Sequence, residues 1–77
     1  MKNYLNNLLD EKGLENATIQ IEGVINDIEV SDVVNFICSL DSITQNSIKR
    51  KLVEIDFQNG DVMHFFKYIA EGMVKVA

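Results

Sequence analysis

The sequence predicts a small α+β fold, order α-β-β-α-α-α, with one β-hairpin packed on a helical core. Three observations lead there. Apolar residues recur at helical spacing near the N-terminus and through the second half. They alternate with polar residues between Ala17 and Val30. Third, 47% of the 77 residues are hydrophobic and 25% are charged, a globular rather than a disordered balance. A chain this short buries only about 60% of its unfolded surface, which supports one modest core and a single domain over residues 1–77.

The first element is a helix over 3–12. Tyr4, Leu5, Leu8 and Leu9 form one stripe, and Lys12-Gly13 makes a cationic, then glycine, ending. Ile19 and Ile21 then alternate with Thr18, Gln20 and Glu22, and Ile28 and Val30 with Asp27 and Glu29. Around the turn at Gly23–Asn26 this predicts a hairpin with one apolar and one acidic face, although Val24 and Ile25 are apolar where turns are polar. A lone hairpin is marginal, so its apolar face must rest on helices.

Ser31 offers an N-cap, with Asp32 in the first turn, to a helix over 32–40 bearing Val33, Ile37 and Leu40. The next start has two readings. Ser42 and Gln45 have the spacing of a capping box; alternatively Thr44 is the cap, with Ile43 and Ile48 as a hydrophobic staple. Ile48, Leu52 and Ile55 share a face that a helical Ile43 would oppose, which favours Thr44 and a helix over 45–57. Val53, Ile55 and Phe57 also alternate like a strand, so residues 53–62 read either as a helix end or as a wing hairpin turning at Asn59-Gly60. Val62, Phe65, Phe66, Ile69 and Met73 recur at helical spacing after Asp61, giving a helix over 61–75 and making Asn59-Gly60 a helix stop. The expected core is Leu5, Leu8, Leu9, Ile19, Ile21, Ile28, Val30, Val33, Ile37, Leu40, Ile48, Leu52, Ile55, Phe65 and Ile69.

Charge is unevenly divided. Residues 1–42 hold eight acids against two bases, a net −6, and residues 43–77 hold five bases against four acids, a net +1. An acidic first half repels phosphate backbones and anionic lipid. The longest uncharged apolar-rich stretch, Val33 to Leu40, is far short of the ~20 residues that span a bilayer. With no apolar signal core and a lone Cys38, the expectation is a cytosolic chain without a membrane partner.

Catalytic chemistry is not signalled. Cys38 and His64 fall on separate helices, Cys38 among apolar neighbours, so no nucleophile has an adjacent base. Asp27-Ile28-Glu29 lacks the other ligands and the glycine of a calcium loop, and the four glycines form no phosphate cradle. No cofactor and no metal are expected, and the chain reads as non-enzymatic. One string, Leu40-Asp41-Ser42-Ile43, resembles the Asp-Ser-Leu/Ile signature of acyl and peptidyl carrier proteins. The resemblance implies a phosphopantetheine on Ser42 at the start of an acidic helix. Here the string leads instead to Lys49-Arg50-Lys51, and a hairpin precedes it.

Two binding functions remain. The first is a protein-binding module, a small acidic regulator, adaptor or inhibitor. Its hairpin would present Gln20, Glu22, Asp27 and Glu29 to a basic partner, such as a protein that handles nucleic acid, with an edge open to a partner strand. The nearly apolar 61–75 helix, with Val74 and Val76 extending it, needs burial on several sides, which suits a homodimer or a partner groove. Small size and Asn/Ile/Lys-rich composition are features shared with phage and plasmid accessory proteins. The alternative is a helix-turn-helix DNA-binding regulator over residues 33–52, reading bases with Gln45 and Asn46 and phosphates with Lys49, Arg50 and Lys51. The net charge of −5 opposes it.

Overall fold

Four helices and a short hairpin follow one another as α1 (Lys2–Lys12), β1 (Thr18–Ile19), β2 (Ile28–Glu29), α2 (Val30–Cys38), α3 (Ser42–Phe57) and α4 (Val62–Val76). This is the predicted α+β order. A computed structural model describes the backbone of residues 1–76 and the side chains of residues 1–75. The side chain of Val76, counted above among the apolar positions of the last helix, lies outside the described residues.

Helix α2 is central: it packs on α1, on α4 and on the hairpin, while α3 packs on α4. Its Val30, Val33, Val34 and Ile37 are all buried. Leu5, Leu8 and Leu9 of α1 close one side of the core, and Leu52 of α3 with Val62, Phe66, Ile69 and Ala70 of α4 close the other. Ile28, Leu40, Ile48, Ile55 and Phe65, expected in the core, are only partly buried, whereas Val34, Val62, Phe66 and Ala70 are fully inside. On α4 the adjacent Phe65 and Phe66 are both compatible with the apolar stripe. Small Ala70 turns the stripe's centre toward Phe66.

Local chemistry explains the element ends. Gly13 adopts φ 69°, its N–H donates to the Asp10 carbonyl and the Leu14 N–H to the Leu9 carbonyl at 2.8 Å. This is the Schellman pattern expected where a glycine follows a helix. Helix α3 ends in the same way, with Asn59 in the left-handed position (φ 57°) and the Gly60 N–H donating to the Ile55 carbonyl at 2.7 Å. Asn59-Gly60 is thus a helix stop, and because α3 stays helical through Phe57 there is no wing hairpin over 53–62.

Three helix starts differ from, or refine, the sequence expectation. Helix α2 begins at Val30 with Glu29 as its cap position, so Ser31 lies inside it; the Ser31 hydroxyl donates to Glu29 Oε2 at 3.3 Å. Helix α3 starts at Ser42 rather than 45. Asp41 is its cap, accepting from the Thr44 N–H at 2.8 Å, and Ile43 is 77% exposed, so neither the staple nor the capping box forms. A carboxylate both accepts the orphan N–H and suits the helix dipole, which lets Asp41 displace the two hydroxyl candidates. Asp61 accepts from the His64 N–H at 3.3 Å before α4.

Hydrogen bonding from Thr44, by its side chain and its backbone N–H, holds the Asp41 carboxyl below the usual carboxylate pKa. A lowered folded-state pKa contributes stability above the unfolded value and loses it as pH falls through the folded value. Asp41→Ala is therefore expected to melt at lower temperature than the wild type at neutral pH. The gap should narrow below about pH 4, as thermal unfolding followed by circular dichroism at the two pH values would read; a gap independent of pH would contradict the charged-cap account.

The hairpin is shorter than the alternation suggested. Thr18 pairs with Glu29 and Ile19 with Ile28, two residues per strand, and the Val30 N–H donates to the Ala17 carbonyl at 3.1 Å. Such strands offer little edge for a partner strand. The two faces follow the alternation: Ile19, Ile21 and Val30 are buried, and Thr18, Gln20, Glu22 and Glu29 are exposed. Among the described residues, no helix is long and apolar enough to cross a membrane.

Candidate interaction surfaces

The hairpin carries the acidic surface. Gln20, Glu22, Asp27 and Glu29 are all exposed, and the antiparallel register fixes which way Glu29 points by setting it opposite Thr18. Among the described residues the one ion pair is Lys12–Asp56 at 2.7 Å, so no hairpin acid is ion-paired there, although Glu22 shares a depression with Lys75 of α4. The face extends further than the sequence suggested: Glu15 and Asn16 join Glu29 and Ser31 around a polar depression of about 170 Å³. At the tip, Ile25 is 98% exposed, because the turn built on Gly23 (φ 86°) carries it away from the helices. The exposed segment thus offers one apolar side chain, Ile25, along with the acids Glu22, Asp27 and Glu29, and interfaces combine such apolar anchors with polar residues. Its sequence signal was an apolar pair inside a turn.

The basic residues of α3 are placed differently from one another. Gln45 is half-buried, and its amide donates to the Cys38 carbonyl at 3.1 Å and to the Leu40 carbonyl at 2.7 Å. It thereby satisfies the last carbonyl of α2 and one in the connection after it and ties the α2–α3 corner, a structural engagement that takes both donors from base reading. Lys49 sits with its ammonium 5.2 Å from the centre of the Tyr4 ring, a cation–π contact that ties α3 to α1. Burial first, then the nearby Asp56 and Glu11 carboxylates, raise the Tyr4 hydroxyl pKa. Lys51 turns the other way, lining a depression with Ile55, His64 and Tyr68. Asn46 and Arg50 are exposed. Consecutive residues on a helix diverge by about 100° each, so Lys49, Arg50 and Lys51 fan over more than half the circumference rather than forming one face.

Apolar surface collects in two places, one on α3 and one along α4, the helix whose nearly all-round apolar pattern already called for further burial. On the outer side of α3, Ile43, Val53 and Phe57 are exposed, Phe57 by 87%. Along α4 two open depressions, of about 520 and 460 Å³, share Phe65 and Tyr68, whose rings stack with centroids 6.4 Å apart. Leu52, Ile48 and Ile55 lie within 60° of one another on α3, which was the available signal for a groove edge on that side.

Of the residues weighed for chemistry, Cys38 is partly buried on α2 and His64 is exposed in the first turn of α4. Ser42, the residue matched by the carrier-protein resemblance, is exposed as the first residue of α3, with Asp41 before it engaged as the helix cap. No group of three or more His, Cys, Asp or Glu that could hold a metal ion occurs among the described residues. Comparison with known protein families, curated proteins and solved structures finds no match to this chain.

Proposed function

We propose that this chain is a non-catalytic protein-binding module, a small acidic regulator, adaptor or inhibitor that docks its hairpin on a basic surface of a partner protein. The observation that carries the reading is the solvent exposure of the hairpin segment: Gln20, Glu22, Ile25, Asp27 and Glu29 are all exposed, and among the described residues none of these acids is in an ion pair. Unpaired acids of one sign raise association rates and select basic partners, among them proteins that handle nucleic acid. Ile25 supplies an apolar contact that charge alone does not.

A variant carrying Glu22→Lys, Asp27→Lys and Glu29→Lys changes only exposed positions and keeps the core, so it is expected to fold as the wild type does. It should lose capture of the partner that the immobilised wild type retains from nuclease-treated lysate. Capture at the wild-type level by this folded variant would overturn the reading. The DNA-binding alternative stays with exposed Asn46 and Arg50, and with Lys51, which is exposed but lines the depression beside His64 and Tyr68.

A further inference from the structure

We propose that α4 pairs antiparallel with the α4 of a second copy of this chain, about a two-fold axis passing between Tyr68 and Ile69. The inference is independent of the hairpin reading. The outward side of α4 carries Tyr68, 71% exposed, stacked on half-buried Phe65, and an exposed Gly72 where an added Cβ would meet nothing within 4 Å. Its charges alternate in sign along the chain as Asp61, Lys67, Glu71 and Lys75. Among the described residues none of the four is ion-paired, although Lys67, Glu71 and Lys75 stand four residues apart.

Self-complementarity is what selects a second copy as the occupant. A two-fold axis between Tyr68 and Ile69 brings Asp61 within one residue of facing Lys75 and Lys67 within one residue of facing Glu71, about 1.5 Å along the helix, with each pair occurring twice. A parallel pair would set every charge against itself. The flanks agree with this register. Lys67 and Glu71 lie about 40° apart on one side of the helix, and Phe65 and Gly72 about 20° apart on the other. A two-fold axis perpendicular to antiparallel helices brings like flanks together, so Lys67 faces Glu71 of the second copy on one side. On the other, Phe65 faces Gly72 of the second copy, where the absent side chain leaves room for the ring. A seam of one helix pair, roughly 22 Å long for fifteen residues, is a small interface, so the dimer should dissociate on dilution.

Sedimentation equilibrium of the full chain over a concentration series tests this. The wild type should show a reversible dimer. Gly72→Leu, which has open space around it in the isolated chain and a better helix former than glycine, should keep the fold by circular dichroism and weaken association at least tenfold. Lys67→Glu and Glu71→Lys should each weaken it similarly. Mixing the two in equal amounts should restore a dimer, because every flank pair in that heterodimer is again of opposite sign. A wild type that stays monomeric at its highest soluble concentration, or a dimer indifferent to these substitutions, would overturn the proposal and leave the face to a different protein or to solvent.

Discussion

Phe66→Ala is expected to lower the unfolding free energy by about 3–5 kcal/mol, which for a domain of this size leaves little or no stable native state. Phe66 has no exposed surface, and it sits among Val62, Ile69 and Ala70 on the stripe by which α4 meets α2. Truncation removes the transfer energy of the ring and opens a cavity between the two helices that carry most of the core. Neither neighbour can collapse into it without moving α2, whose Val30, Val33 and Ile37 are themselves fully enclosed. Denaturant unfolding followed by circular dichroism reads the effect. Phe57→Ala is the internal control, since Phe57 is largely exposed and its truncation should stay within about 0.5 kcal/mol. Comparable losses at the two positions would contradict the assignment of Phe66 to the core.

Gly60→Ala is the second large effect, at about 1–3 kcal/mol of destabilisation. The backbone at Gly60 is not in the left-handed region; the constraint there is space. A Cβ would stand 2.9 Å from Ile55 Cγ2 and 3.2 Å from the Ile55 carbonyl oxygen, the oxygen that accepts the Gly60 N–H at 2.7 Å. Relieving the clash means lengthening that bond or displacing a branched side chain close to the backbone. Either one loosens the corner that sets α4 against α3. The same unfolding experiment checks it, and a neutral result would mean that this corner yields without cost.

What the sequence made legible follows from how strongly each local signal was constrained. Gly13 after Lys12 has one physical reading, and α1 ends there; the alternation of Ile19 and Ile21 with Gln20 and Glu22 assigned the buried and exposed sides correctly but overstated the strand, which spans only Thr18–Ile19. The start of α3 was ambiguous because Asp41, Ser42 and Thr44 can all cap. The choice depended on Ile43, which lies inside α3 and is exposed once Asp41 takes the cap. Residues 53–57 satisfied helix and strand periods together, and packing of α3 on α4 settled them as helix. The acidic face was legible because period-two alternation assigns sides directly. The apolar groove beside Phe65 and Tyr68 was not, since it arises between α3 and α4 from their relative placement, which no single helical stripe encodes. Gln45 shows the same limit: its spacing suited base reading, and only the geometry of the α2–α3 corner reveals two carbonyls within its reach.

The central claim, binding of a protein through the acidic hairpin, is tested most directly by immobilising the wild type and the Glu22→Lys/Asp27→Lys/Glu29→Lys variant side by side. Each is exposed to lysate of the source organism with and without nuclease. The account predicts a stoichiometric protein band on the wild type that survives nuclease, weakens with salt, and is missing from the variant. Retention of nucleic acid alone, equal on both and lost with nuclease, would contradict it and direct mutagenesis to Arg50 and Lys51.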